Sequence, residues 1–190
     1  MAVADLLTAA NGSVPWNQLK PHNCHEAVLG WVLMAKYPTL RHVDSLSLGV
    51  EKAWHTLRSL TERYGSGVPK QLTGIWMAQN IYPRGLIRIR PPFTAGTFLV
   101  GDVIFMGDRH APHHSMVVVQ KTGGQVLARG FNNAGAFGGP FMGWDPALRD
   151  IADMTRWDGQ GNFMGNNGAA PLHAMTYNAV CANIPDNLNF

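Results

Sequence analysis

Cysteine is scarce in this chain: Cys24 and Cys181 are the two among 190 residues. Two thiols in a chain of this length do not make a disulfide scaffold, so both are expected to stay unbridged. Charge is thin as well, with Asp, Glu, Lys and Arg together at 14%. The net charge of +3 comes from 15 Lys and Arg scattered along the chain, with no basic run and no aromatic-basic ladder, so nucleic acid is not an expected partner. No window approaches the roughly 18 apolar residues of a membrane span, and no membrane insertion is expected. The opening segment MAVADLLTAANGSVPW carries neither a basic leader nor a sustained apolar stretch before a cleavage site. The expectation is a chain that is cytoplasmic as synthesised, with any export following a route independent of a signal peptide.

What is present points to a folded, loop-rich protein. Hydrophobic residues make up 46% of the chain, while Gly (21) and Pro (12) supply turns rather than disorder. A chain of this size can bury one sizeable core, so residues 1–190 are read as a single domain.

The two halves differ in periodicity. From Cys24 to Lys36 the apolar residues Ala27, Val28, Trp31, Val32 and Ala35 recur at helical spacing, with Asn23 and Glu26 placed for a capping box and Pro38 as a stop. A second amphipathic helix is expected from Asp44 or Ser45 through Leu60, and a shorter one from Pro69 to about Tyr82. After Pro83 the pattern turns to strands: GLIRIR, FLVGDVIFMGD and HSMVVVQ. Gly123-Gly124 between SMVVVQK and QVLARGF is a strong hairpin signal. DPALRDIADMTRW is expected to form a short helix with Pro146 in its first turn, and PLHAMTYNAVCANI a final strand. Two glycine-rich stretches, Ala134 to Gly143 and Gly159 to Gly168, are read as loops walling a groove.

Cys24 falls in the first turn of a predicted helix, where unpaired N–H groups and the helix dipole favour a thiolate. A nucleophilic thiol needs a base, and the base an orienting group. Of eight histidines, His114 is the candidate base, since it opens the strand HSMVVVQ after a turn-like segment. A two-residue loop at Gly123-Gly124 pairs Thr122 with Gln125 and, counted back along both strands, His114 with Asn133. A loop one residue different in length substitutes Asn132 or Ala134, so Asn132 is the reserve orienter. The same counting sends His113 to the other side of the sheet. His25 and Glu26 are expected to cap or solvate the first turn of the helix. Gln18, six residues before Cys24, can return its amide to the thiol as an oxyanion donor beside the Cys24 backbone N–H. His22, His25, His110, His113 and His114 show no second ligand pair at a familiar zinc spacing, and neither metal nor cofactor is expected.

A Gln before a Cys that begins a helix, a His opening a strand and an Asn across a hairpin resemble the papain-like cysteine hydrolase superfamily. The segment GDVIFMGDRHAPHHSMVVV, Gly101 to Val119, is similar to the Gly-Asp strand and His-led strand of NlpC-type and CHAP-type amidases. The resemblance implies a papain-like α+β domain, with the nucleophile helix and further helices packed on an antiparallel sheet. It implies Cys24 as nucleophile, His114 as general base and acid, Asn133 or Asn132 as orienter and Gln18 as oxyanion donor. Asn23 and His25 flank Cys24 in place of the papain signature. The implied activity is thioester-forming attack on an amide or peptide bond by a bacterial effector or toxin: a peptidase, cell-wall amidase or deamidase. Its substrate would be a protein or peptidoglycan, and an immunity or host target protein its partner. Two rival readings are a noncatalytic binding or adaptor module with a buried structural cysteine, and an acyl transferase using the same thioester.

Overall fold

The computed structural model describes residues 3–11, 24–36, 77–79, 81, 85–130, 148–165 and 168–184. Besides a helical stretch at 77–79, within the helix expected up to about Tyr82, three helices and eight strands are traced within them: α1 (Val3–Asn11), α2 (Cys24–Lys36), β1 (Ile87–Ile89), β2 (Val103–Asp108), β3 (Ala111–Thr122), β4 (Gln125–Gly130), β5 (Arg149–Asp150), β6 (Phe163–Gly165), β7 (Gly168–Ala170), β8 (Leu172–Met175) and α3 (Tyr177–Asn183). A 3-10 turn at Met154–Arg156 follows β5. The architecture is mixed α and antiparallel β. Six strands form one sheet in the order β1-β8-β2-β3-β4-β5, and β6 pairs with β7 in a separate hairpin. The capping pair Asn23 and Glu26 and the expected helix from position 44 lie outside the described residues, or have side chains that do.

Strand alternation divides the core into two apolar clusters, one on each side of the main sheet. Val103 and Phe105 of β2 and Val117 and Val119 of β3 pack with Leu6 of α1, with Val28, Trp31 and Val32 of α2, and with Val180 of α3. Ile104 and Met106 of β2 and Met116 and Val118 of β3 turn the other way, onto Phe98, Ile151 and Phe163. The expected inward residues of α2 are all buried, and so are Leu29 and Leu33. A helix apolar on nearly every side is one enclosed by its neighbours. The Lys36 ammonium donates to the Cys181 carbonyl at 2.9 Å and the Ile184 carbonyl at 2.8 Å, tying the end of α2 to the end of α3.

The β3–β4 hairpin turns at Gly123 and Gly124, with φ of 57° and 88°, the left-handed pair that a two-residue hairpin loop requires. Pairing begins as expected, Thr122 with Gln125 and Lys121 with Val126, but it slips at Val119, so that Val118 meets Ala128 and Met116 meets Gly130. A second irregularity falls between β2 and β3: Met106 pairs with His114 and Gly107 with Pro112, leaving His113 as the extra residue. Ahead of β2, the buried Asp102 closes a turn by accepting from the Leu99 N–H at 2.8 Å, and burial raises its carboxyl pKa.

Two sequence expectations are corrected. DPALRDIADMTRW does not form a helix over its described part. Arg149 and Asp150 pair with β4, and Asp153 caps a single 3-10 turn by accepting from the Thr155 N–H. PLHAMTYNAVCANI is strand only through Met175. Thr176 then accepts from the Ala179 N–H as an N-cap and begins α3. The second glycine-rich stretch includes the β6–β7 hairpin rather than a plain loop.

Candidate functional site

Cys24 is the first residue of α2, where the dipole and the unpaired N–H groups of the first turn are concentrated. Its residue exposure is 7%, and its thiol donates toward the His113 carbonyl at 4.0 Å. Cys24 and Cys181 are not disulfide-bonded. The sulfur therefore sits against the bulge between β2 and β3. Immediately after it, His25 is buried, with Nδ1 2.5 Å from the Ser115 hydroxyl. Burial, the nearby His114 and, least, His113 bring its pKa down to about 3, against the upward pull of a backbone hydrogen bond to Pro112. His25 is thus neutral across the physiological range. This corrects the expectation that His25 caps or solvates the first turn. It points inward because positions 25, 29 and 32 share one helical face, a spacing visible in the sequence.

His113 and His114 part company at the bulge. Ser115 faces α2, as its bond to His25 requires, so the alternating residue His114 faces the other way. A Cβ built on Gly130 would lie 3.1 Å from His114 Nε2 and 2.9 Å from Met116 Cγ, which puts the His114 ring on the Met116 side of the sheet. The structure does not bring His114 to the helix face that carries Cys24. Its pKa falls to about 4 through burial first, then the charges of His113 and Arg149.

His113, expected to face away, is the extra residue of the bulge, and its ring lies over Gly107. A Cβ there would come within 2.6 Å of His113 Cδ2 and 3.2 Å of Nε2. The contact with Cys24 that the fold provides is through the His113 carbonyl, at the residue where the β2–β3 register shifts. Gly107 has φ of 109°, which also favours glycine. His113 keeps solvent exposure while partial burial lowers its pKa. An exposed imidazole on the residue whose carbonyl meets the thiol is chemically suited to exchange protons with it.

Across the same face lies His173 of β8, directly opposite Phe105 and stacked on it, with ring centroids 5.0 Å apart and planes 16° apart. Burial, followed by the charges of Arg88 and Arg109, holds its pKa at about 4. Its Nδ1 is buried without a hydrogen-bond partner. Sequence reasoning missed His173, because the position of β8 beside β2 depends on a pairing across most of the chain.

Gln18, Asn132 and Asn133 lie outside the described residues. The described pairing of β3 with β4 ends at Met116 opposite Gly130. Among the described residues, no three of His, Cys, Asp or Glu converge closely enough to hold a metal ion, and no helix is long and apolar enough to cross a membrane. Comparison with protein-family models, curated proteins and solved structures gave no significant match.

Proposed function

We propose that this chain is a thiol-dependent hydrolase of papain-like type, acting on an amide or peptide bond, in which Cys24 is the nucleophile and His113 its proton acceptor. The observation carrying this reading is that Cys24 opens α2 with its sulfur 4.0 Å from the carbonyl of His113, a residue whose imidazole is exposed. The thiol gives its proton to the imidazole, and the thiolate, favoured by the helix N-terminus, attacks the carbonyl carbon. In this reading the Cys24 backbone N–H receives the developing oxyanion. Collapse of the tetrahedral intermediate breaks the C–N bond. The amine leaves with the imidazolium proton, and water, deprotonated by the same imidazole, hydrolyses the thioester. Gln18 as second oxyanion donor and Asn132 or Asn133 as ring orienter complete the proposal. A bacterial effector or toxin acting on a protein or on peptidoglycan fits this chemistry.

A panel of peptides, ubiquitin-like proteins and muropeptides, treated with wild type and with Cys24→Ala and followed by mass spectrometry, tests the proposal. Cleavage indicates a peptidase or amidase, amide-to-acid conversion a deamidase, and amine adducts a transferase. All three products should vanish in Cys24→Ala. A specific observation favours a second reading, that of a noncatalytic module: the low exposure of Cys24 suits a structural thiol. Iodoacetamide separates the two readings. An activated Cys24 alkylates well below pH 8 and loses that behaviour in His113→Ala, whereas a structural thiol reacts slowly in both proteins.

A further inference from the structure

Cys24 and His25, consecutive on α2, both touch β3, the first at the His113 carbonyl and the second at the Ser115 hydroxyl. The His25 ring also makes a backbone hydrogen bond to Pro112. One imidazole therefore holds β3 at residues 112 and 115, on either side of His113 and His114. That interval contains the bulge, where Met106 pairs with His114 and Gly107 with Pro112. A bulge is a local choice of register, and an extra residue can be absorbed at more than one place unless something fixes it. His25 and Ser115 are 4% and 0% exposed and are engaged with each other, so the His25 ring is already occupied at Nδ1.

We infer that His25 is a positioning residue: by bridging Ser115 and Pro112 it locks the β3 bulge at which the Cys24 thiol meets His113. This rests on the reading of Cys24 and His113 as a reacting pair. The residue that follows the nucleophile thus fixes the strand that carries its base, and a shift of α2 along β3 would move both partners together.

The test follows iodoacetamide alkylation of Cys24 against pH, by peptide mapping, in the full chain. Wild type is compared with Ser115→Ala, His25→Leu, the double variant and His113→Ala, with a denaturation midpoint for each. Ser115→Ala and His25→Leu should each slow alkylation at pH 7 by about tenfold and move the inflection toward that of an ordinary thiol. Each single change leaves one member of the His25–Ser115 pair without the other, whereas the double change removes both and leaves only the Pro112 carbonyl without its ring donor. Stability should therefore recover in part in the double variant. The alkylation profile should stay displaced. A purely structural bond predicts instead that profile and stability recover together, and that result overturns the positioning role. So does a wild-type profile in Ser115→Ala, a small deletion that the fold should tolerate. If His113→Ala keeps the wild-type profile, the reacting pair itself is wrong, and the positioning role falls with it. If His113→Ala displaces the profile while Ser115→Ala does not, the pair stands and the positioning role alone fails.

Discussion

The two faces of β3 are built from the same strand but to different ends. Toward α2 the strand presents Ser115, Val117 and Val119, and polar contacts enter that side at its upper end, where Cys24 and His25 reach the bulge. Toward the other side it presents His114, Met116 and Val118, packed on a second apolar cluster with Phe98 and Phe163. Each of the two adjacent histidines abuts a glycine: His113 over Gly107, His114 beside Gly130. The comparison teaches that the polar contacts between β3 and α2 gather where the pairing of β3 with β2 is irregular.

The largest effect expected on the helix face is in stability. Trp31 is fully buried, and Trp31→Ala should cost about 3–5 kcal/mol in a denaturant titration. Met164, 42% exposed in the β6–β7 hairpin, should change by less than about 0.5 kcal/mol on conversion to Ala.

The paired glycines sharpen the contrast. Gly107→Ala and Gly130→Ala should each destabilise by about 1–3 kcal/mol, since each new methyl meets neighbouring atoms closer than contact allows. Only Gly107→Ala should slow the alkylation of Cys24, by displacing the His113 ring. If Gly130→Ala slows it and Gly107→Ala does not, His114 is the proton acceptor after all.

Acid should act on both faces. His25, His114 and His173, with folded pKa values of about 3, 4 and 4 against an ordinary 6.5, take up protons in the unfolded chain before the folded one. Their neutral burial therefore costs nothing above about pH 6.5 and weakens the fold progressively as pH falls toward 4. Denaturation midpoints at pH 7.5 and pH 5 check this, with the lower midpoint expected at pH 5. His173→Phe, which keeps a ring against Phe105, should reduce the difference by the smallest amount of these predictions.

How much of this was legible in the sequence follows from how local each signal is. The helix Cys24–Lys36 and the Gly123-Gly124 turn are specified within a few residues, by 3.6-residue spacing and by tolerance of positive φ, and both were read correctly. The Thr176 cap was equally local but lay inside an apolar run that looked like one strand. The bulges were not legible. Counting pairs back from a turn assumes that no residue is skipped, and the register shifts at Val119 and between Met106 and Gly107 break that assumption. His25 showed the inward spacing of Leu29 and Val32, yet its polarity suggested a solvated position. Ser115 likewise continued the alternation of Val117 and Val119, which marks it as inward-facing. The placement of β8 required knowledge of contacts between residues far apart in sequence.

That placement has a consequence for how the molecule comes into being. β8 is an interior strand, lying between β1 and β2, although its residues 172–175 follow both by a long way. While the ribosome is still making the segments before it, β1 has no neighbour in the main sheet and the inner edge of β2 stays open. The main sheet can be completed only after Met175 has emerged, so the nascent chain carries an exposed strand edge from the emergence of β2 until that of β8.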